Sequence, residues 1–395
     1  MTNDNGRRYS RGRRTLLMLA AISALGSLAI HMIVPALPQI AGELSVDAQT
    51  AQHVVSFYLF GLAGGQLLAG PFADRLGRRP VLLAGLTLYT ASALLGAFAA
   101  TTETLLTARV LQALGASAGL VTSRAMVGDL FDRSETGRRQ ATLMSVVLVS
   151  PAVAPALGGL IVGAAGWRAI FFLLAAAGLV GLVLLSRYLP ESLQRTEGGL
   201  RSNLIADYRR LLRNTAFVRT AAAIASTSAA LYMFLSAAPF LLIAEWHLSP
   251  QQAGFCFLVV AGASIVGTRL VGWFERRGNA FRQGLAIIAS GAALMLLIAL
   301  AGWFGPLALI GPMTIVGLGT GVAAPSGFAF VVLAEEGLAG TASSLAGALQ
   351  MLGSGVAASI LGLIGAPSFL LLAIGVAAIS LGALLTAPGR AGTPR

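Results

Sequence analysis

Three ionisable side chains interrupt long apolar stretches of this sequence, and they are the residues best placed to do chemistry. His31 could bind and release a proton near neutral pH, because the reference pKa of histidine is about 6.5; otherwise it is a neutral side chain satisfied by a hydrogen bond. Arg109 either faces a polar cavity or reaches past Glu103 to a polar surface. Arg269 presents the same choice, and nearby Glu275 favours the surface for it.

A second group of residues could bind an amphiphilic small molecule. The apolar stretch 232–240 carries several aromatic rings together with hydroxyl groups. Gln112 follows Arg109 by three positions. Ligand pockets combine apolar walls with a few polar groups, although aromatic residues at such spacing also serve ordinary helix packing. The candidate lining of a substrate cavity is therefore His31, Arg109, Gln112, Tyr232, Phe234, Ser236 and Phe240.

The residue pattern does not support enzyme chemistry. The sequence has no nucleotide-binding loop, no paired catalytic acids and no metal-ligand spacing, so we expect no cofactor, no metal and no ATP-driven activity. Cys256 is the only cysteine, which rules out a disulfide within the chain.

The elements that must position these residues are membrane-spanning helices. Residues of the types AVILMFWYC make up 56% of the 395 residues and charged residues 11%, against roughly 25% charged in a soluble protein. A bilayer core needs about 20 consecutive apolar residues per helix. Twelve spans are predicted at 15–37, 50–70, 80–100, 104–127, 139–162, 167–187, 218–243, 252–273, 283–304, 306–333, 340–362 and 366–386.

Arginines predict the orientation of these spans. They cluster before the first span and after the second, fourth, sixth and eighth, whereas segments 38–49 and 244–251 have none and Arg168 is an exception. The positive-inside rule then places both termini in the cytoplasm, and topology rather than nucleic-acid binding explains the net charge of +12.

The same pattern divides the chain into two halves of six spans. The predicted organisation is a tail at 1–14, a first half at 15–187, a cytoplasmic linker at 188–217, a second half at 218–386 and a cytoplasmic tail at 387–395. In the linker, apolar residues from Leu200 to Leu212 recur at helical spacing with arginines such as Arg201 and Arg213 on the other faces. This pattern predicts an amphipathic helix on the membrane surface.

The segment Gly70-Pro71-Phe72-Ala73-Asp74-Arg75-Leu76-Gly77-Arg78-Arg79-Pro80 closely resembles the signature loop between helices two and three of the major facilitator superfamily. A glycine, an aromatic residue and an acid–Arg pair recur at 272–277, after the eighth span, as expected for a duplicated chain. The resemblance implies a charge network that latches the two halves in the outward-facing state. Its members would be Gly70, Asp74, Arg75, Gly77, Arg78, Arg79 and Asp129, with Asp132 as the second choice of acid.

A proline- and glycine-rich stretch, 150–159, lies in the fifth predicted span. Prolines kink a helix and glycines allow a neighbour to approach closely. Pro151, Pro155, Gly158 and Gly159 resemble the antiporter motif of major facilitator exporters, which implies a hinge and a seal and favours export over uptake. Generic packing of a membrane helix is the alternative.

Nearly the whole chain is similar to the Bcr/CflA drug-resistance transporters within the twelve-helix drug/proton antiporters. The resemblance rests on Gly166-Trp167-Arg168, on Leu189-Pro190-Glu191-Ser192-Leu193 and on the segment 340–347. It implies that Arg109 takes part in proton coupling and substrate-site electrostatics. One departure is His31, which stands where that subfamily usually has a membrane-embedded Asp, so proton coupling would pass through His31.

The sequence therefore predicts an all-α membrane protein with the major facilitator fold in a bacterial inner membrane. We expect a monomeric exporter of small amphiphilic molecules that exchanges them for protons, with the lipid bilayer as its other partner. Export of a single endogenous metabolite such as an amino acid, sugar or siderophore, and facilitated uptake, are the alternatives. A non-transporting membrane sensor is a further one.

Overall fold

A computed structural model describes residues 4–131, 133–193, 204–332, 335, 338–364 and 367–388. Within these residues the chain is helical, with a 3₁₀ turn at Val34–Ala36 and a π-helical turn at Phe240–Glu245. The α-helices are α1 Asp4–Met32, α2 Leu37–Glu43, α3 Ala48–Leu76, α4 Arg78–Ala97, α5 Thr102–Leu130, α6 Arg133–Ala165, α7 Trp167–Tyr188, α8 Leu204–Arg213, α9 Thr215–Pro239, α10 Pro250–Glu275, α11 Ala280–Leu300, α12 Pro306–Val332, α13 Ala339–Ile364 and α14 Phe369–Thr386.

Each of the twelve predicted spans coincides with an observed helix. In the described part of the chain, eleven helical segments are long and apolar enough to cross a membrane, counting α1 with α2 as one segment and α9 with its π turn as another. The fifth predicted span falls in α6, where a shorter apolar stretch runs from Val149 to Ala165. Residues 1–3 and 389–395 of the predicted tails, and Leu200, Arg201 and Asp132, lie outside the described residues.

The helices begin where polar side chains can satisfy free backbone N–H groups. Asp47 accepts a hydrogen bond from the backbone N–H of Thr50 at 2.7 Å, and Ser249 and Gln252 form a reciprocal capping box at the start of α10. Such caps define short turns between long helices, which forces consecutive helices to run antiparallel. Further side-chain caps are Thr101, Asn214, Asn279 and Ser368.

The helices form two bundles, α1–α7 and α9–α14, that meet along two lines. In the first half α5 packs against α1, α3 and α4; in the second half α12 packs against α9, α10 and α11. Between the halves, α3 packs on α13 and α6 packs on α10. The repeat pairs α3 with α10 and α6 with α13, so it converts one of these contacts into the other. The internal repeat of the sequence therefore appears in the structure as an approximate two-fold relation.

The loops divide the bundle into two ends. We call the end that holds segments 76–79, 187–193 and 276–279 the Arg-rich end, and the opposite end, which holds 44–47, 98–101 and 246–249, the Arg-poor end. Arg168 is the exception at the Arg-poor end, and it forms an ion pair with Glu43. Trp167 donates its indole N–H to the same carboxylate at 2.9 Å, so this arginine is neutralised locally.

The helix α8, Leu204–Arg213, lies in the linker where the sequence predicts an amphipathic helix. Leu211 is fully buried against the bundle, whereas Ile205 and Leu212 are exposed. The linker helix therefore docks on the second half through one face and leaves other apolar residues on its surface.

Close helix packing within each half depends on glycine. A Cβ added at Gly115 of α5 would come within 2.6 Å of the backbone nitrogen of Tyr89 and would also collide with the carbonyl oxygen of Gly85, both on α4. Because these neighbours are backbone atoms, they cannot rotate away, and any larger residue must separate α4 from α5.

The substitution Gly115→Ala is expected to lower the free energy of unfolding by about 1–3 kcal/mol, because an extra methyl group overpacks this contact. The loss should appear as a lower thermal unfolding temperature of the purified protein in detergent. Gly128→Ala, in the same helix, is the matched control, since a Cβ at Gly128 would meet nothing within 4 Å. Equal unfolding temperatures for the two variants would contradict this packing argument.

Candidate functional site

The guanidinium group of Arg109 lies in the interior of the first half. The side chain is fully buried, donates to the carbonyl oxygens of Val54 at 3.2 Å and Ala29 at 3.1 Å, and binds the side-chain oxygen of Gln112 at 2.8 Å. The ring of Tyr58 lies beneath it, 4.0 Å from the guanidinium carbon. Arg109 and Gln112 are thus enclosed by α1, α3 and α5 in this conformation, and the arginine does not reach toward the surface past Glu103.

Three side-chain donors converge on one turn of α1. Besides Arg109, the hydroxyl of Tyr58 donates to the carbonyl of Gly26 at 2.9 Å and the hydroxyl of Tyr89 donates to that of Leu25 at 3.1 Å. A carbonyl oxygen has two lone pairs, so each can accept these bonds beside its helical one. The C-terminal part of α1 is therefore fixed to α3, α4 and α5 immediately before His31.

His31 lies on α1 where the two halves meet. Its side chain is 4% exposed, and Nδ1 is 2.7 Å from the carbonyl oxygen of Ser27. A carbonyl only accepts, so Nδ1 carries the hydrogen, and Nε2 keeps the lone pair that can take a proton. The ring of Tyr232, on α9 of the second half, has its centroid 6.0 Å from that of His31.

The other predicted cavity residues on α9 lie on different faces of the helix. Phe234 packs edge-on against Phe257 of α10 with ring centroids 5.5 Å apart, inside the second half. The hydroxyl of Ser236 bonds to the carbonyl of Met233 at 3.0 Å, and Phe240 is buried in the π-helical turn. Only Tyr232 is brought next to His31, and Arg109 and Gln112 stay in the first half.

Two apolar grooves lie on the sides of the bundle rather than at these residues. One, of about 680 Å³, is bounded by α1, α6 and α7; the other, of about 420 Å³, is bounded by α9, α13 and α14. The internal repeat relates α1, α6 and α7 of the first groove to α9, α13 and α14 of the second. Neither groove contains a predicted cavity residue, although Ser150 at the start of the proline-glycine segment lines the first.

The predicted latch residues assemble at the Arg-rich end of the first half. Arg78 binds Asp74 at 2.5 Å and Asp129 at 3.1 Å, which joins the start of α4 to the ends of α3 and α5. Gly77 between α3 and α4 has φ +108°, a backbone conformation that glycine adopts readily and other residues rarely adopt. The neighbouring Arg79 donates to the carbonyl of Ser186 on α7 at 2.8 Å. All these partners belong to the first half in this conformation.

Glu191 is a member of this network that sequence reasoning missed. Its carboxylate accepts the backbone N–H groups of Arg78 at 3.0 Å and Arg79 at 3.2 Å at the start of α4, and those of Ser192 and Leu193 in its own loop. A carboxylate at a helix N-terminus is favourable. Burial alone would raise the pKa of Glu191, but these four backbone hydrogen bonds lower it below its usual value.

Glu191 also explains the glycine at 77. A Cβ there would lie 2.6 Å from a carboxylate oxygen of Glu191, so a larger residue would displace this carboxylate and also strain the backbone at φ +108°. Ser192 completes the arrangement by donating its hydroxyl to Asp129 at 3.1 Å. The sequence signal was the segment 189–193, which carried a family resemblance but no assigned role. Gly70 and Arg75 have no such contact with the network among the described residues.

The proline-glycine segment of α6 forms the seam between the halves at the Arg-poor end. Gly158 lies against the carbonyl oxygen of Met32 on α1, and Gly159 lies against that of Pro250 at the start of α10. From the other side, a Cβ at Gly254 of α10 would come within 2.7 Å of the carbonyl oxygen of Pro155. Pro151 and Pro155 both lie inside α6. One face of α6 therefore meets both halves with backbone-to-backbone contact.

Comparison with known proteins gives a consistent family. Residues 17–358 match the model of the Major Facilitator Superfamily. The chain is 30% identical over 87% of its length to multidrug resistance protein D of Escherichia coli, covering 87% of that protein. It is 33% identical over 79% of its length to a chloramphenicol resistance protein of Pseudomonas aeruginosa, covering 76% of it, and 28% identical over 85% of both chains to a bicyclomycin resistance protein homolog of Haemophilus influenzae.

Solved structures share the fold. A bacterial homolog of the human lysosomal transporter Spinster, in an inward-facing and unoccupied conformation, aligns with a TM-score of 0.73 at 16% identity over 95% of each chain. A D-xylose–proton symporter aligns with a TM-score of 0.74 at 15% identity, over 94% of this chain and 97% of that one. The predicted fold class and the predicted family are confirmed.

Glu191→Gln is expected to destabilise the protein by about 1 kcal/mol, because a neutral amide binds the N-terminus of α4 less strongly than a carboxylate does. The folded-state pKa of Glu191 is below its usual value, so its stabilising contribution is present at higher pH and is lost as pH falls through that lowered pKa. The unfolding temperature of wild type, measured from about pH 7 to about pH 3, should therefore approach that of the variant at the acid end.

The control is Glu275→Gln, a carboxylate at the same end but in the second half. A constant gap between wild type and Glu191→Gln across the whole pH range would show that the carboxylate charge is not what stabilises the loop.

Gly254→Ala is expected to open the seam at the Arg-poor end, because its Cβ would press on backbone atoms of Pro155 and Ala156. Overpacking by about 1–3 kcal/mol in one state shifts the population of states by about 5- to 150-fold. Spin labels at Glu103 and Glu245, in a Cys256→Ser background, would report a longer or broader distance between the halves. Gly262→Ala is the control in the same helix, where a Cβ meets nothing within 4 Å. An unchanged distance in Gly254→Ala would refute the seam.

Proposed function

This chain belongs to the major facilitator superfamily, and from that premise we propose that it exports small amphiphilic molecules in exchange for protons, as a multidrug efflux transporter. The observation that carries the direction of transport is the proline-glycine segment of α6, which resembles the antiporter motif and lies where both halves meet. Relatives named for resistance to chloramphenicol and bicyclomycin support the same direction.

In this proposal the protein lies in the bacterial inner membrane as a monomer. The Arg-rich end faces the cytoplasm, following the positive-inside rule, so that both termini are cytoplasmic. Arg168, which is ion-paired with Glu43, is a single arginine against the clusters at the opposite end, so the count of arginines still favours this orientation.

The described conformation would then be the inward-facing one. Backbone packing between α6 and α10 and between α1 and α6 occurs near the Arg-poor, periplasmic end. Transport would proceed when the halves rock about this seam and expose the boundary at His31 and Tyr232 to each side in turn. The network of Asp74, Arg78 and Asp129 would engage the second half in the opposite, outward-facing state.

His31 is the proposed proton site. One ring nitrogen is occupied by the carbonyl of Ser27, and the ring faces Tyr232 across the boundary between the halves. A proton on His31 would place a second positive charge within about one helical turn of the carbonyl that Arg109 binds. Such a charge is costly in a dry, closed seam and tolerable in a hydrated, open one. The proton would thus be taken up from the periplasm and released when the seam closes.

The substrate would bind at the same boundary. Tyr232 on α9 and Phe240 in the π-helical turn retain slight exposure and offer aromatic surface for an amphiphilic molecule. Arg109 would act as a positioning residue that fixes α1 rather than as a ligand of the substrate in this state.

His31→Ala in proteoliposomes is expected to abolish proton movement driven by added antibiotics and dyes, because the variant removes the imidazole that faces the second half across this boundary. His53→Ala is the matched control, a histidine on α3 away from the contact with Tyr232. Proton flux is read from a pH-sensitive dye trapped in the vesicles.

Unchanged flux in His31→Ala would refute His31 as the coupling residue. Net movement of substrate down its gradient toward the cytoplasmic side, with no proton flux, would instead support facilitated uptake. A response to one endogenous metabolite alone would support a dedicated exporter.

A further inference from the structure

A basic cavity lies at the Arg-rich end, between the linker helix α8 and the second half. It has a volume of about 500 Å³ and is lined by Ala206, Arg209, Arg210, Arg213, Asn214 and Glu335. Glu335 is the one acidic residue in this lining, so three arginines outnumber it. The cavity stands apart from His31, the seam and the latch network, and the transport mechanism makes no use of it.

Glu335 neutralises only one of the three arginines. It binds Arg210 at 2.9 Å and accepts a hydrogen bond from the side-chain amide of Asn214 at 3.1 Å. Among the residues that the structure describes, Arg209 and Arg213 have no ion-pair partner. Two exposed guanidinium groups therefore border the cavity without a described carboxylate partner, which suits a phosphate group because arginine binds phosphate through several N–H donors.

The surface next to these arginines is apolar. Successive residues of a helix are about 100° apart, so the order around α8 is Leu212, Ile205, Arg209 and Arg213, with the two apolar residues on one side of the two arginines. The side chain of Ile205 is 80% exposed and that of Leu212 is 51% exposed. An isoleucine and a leucine exposed beside two arginines form a surface complementary to an anionic lipid, whose apolar acyl chains lie next to a negatively charged headgroup.

The depth of α8 relative to α13 places this surface at the edge of the bilayer. Helix α8 packs on α13, where Tyr208 lies beside Ser344, five positions after the start of α13. The 26 residues of α13 span about 39 Å, against a hydrocarbon core of about 30 Å, so about 4 Å extends beyond the core at each end. Ser344, about 7.5 Å from the helix start, then lies close to the boundary between acyl chains and headgroups.

We propose that α8 and the cavity beside it form a binding site for an anionic phospholipid, in which Arg209 and Arg213 bind the headgroup phosphate while Ile205 and Leu212 contact the acyl chains. Interfacial helices bind membranes through this combination of a basic arc and an apolar arc. The bound lipid would tie the linker to the second half at the end where Glu335 already connects them.

The test is a lipid titration of the full-length protein in detergent, with phosphatidylglycerol or phosphatidylcholine as the probe and native mass spectrometry as the readout. Wild type is expected to retain phosphatidylglycerol in preference to phosphatidylcholine. In R209Q/R213Q the affinity for phosphatidylglycerol should fall about 30-fold, since each arginine near an anionic lipid surface contributes about 1 kcal/mol. The matched control is R276Q/R282Q, which removes two exposed arginines from the same end of the second half.

Ile205→Ser/Leu212→Ser tests the apolar part of the site and should weaken binding of both lipids. Equal retention by wild type and R209Q/R213Q would overturn the proposal. A loss of the same size in R276Q/R282Q would also overturn it, because it would show a general attraction of the basic surface. Displacement of the lipid by millimolar inorganic phosphate would assign the cavity to free phosphate instead. Binding is measured without transport, so the result is independent of the proposed export activity.

Discussion

The buried guanidinium group of Arg109 is the interaction on which the rest of the first half depends. A charge in an apolar interior is stabilised by hydrogen bonds. Here Nε and Nη1 donate to backbone carbonyls of α1 and α3 and to the amide oxygen of Gln112, whereas Nη2 has no partner among the described residues. The carbonyl acceptors belong to the backbone, so a change of side-chain rotamer cannot replace them. The helices that carry them must keep their relative positions, with the result that α1, α3 and α5 form a rigid body.

A rigid half requires motion elsewhere, and the seam between the halves has the opposite construction. Its contacts at α6 and α10 are glycines against backbone, with dispersion forces in place of ion pairs. Such contacts can separate without breaking a buried charge pair. The energetic contrast between a hydrogen-bonded half and a glycine-lined seam is what an alternating-access mechanism needs, because it confines the motion to the boundary where His31 and Tyr232 meet.

The helices themselves were predictable from sequence, because apolar runs of membrane length alternate with arginine-rich loops. The contact of Arg78 with Asp74 also follows from sequence, since residues four apart share a helical face. Other features depend on tertiary packing. Glu191 binds a helix start more than a hundred residues away, and no local pattern encodes that contact. The direction of Arg109 was ambiguous as well, because α5 is buried on most sides and offers no polar face to orient it.

The aromatic residues of α9 and of the π-helical turn after it also show what the sequence alone does not determine. Tyr232, Phe234 and Phe240 have similar side chains in one apolar stretch, so composition alone cannot tell which of them faces the other half. Helical geometry separates those on α9: positions 232 and 236 fall on one side, whereas 234 is turned about 200° from 232 and packs on Phe257. A site at a domain boundary is therefore defined by the relation between two halves, and it appears only when both are placed. His31 becomes a candidate coupling residue for this reason, because the residue opposite it belongs to the half that must move.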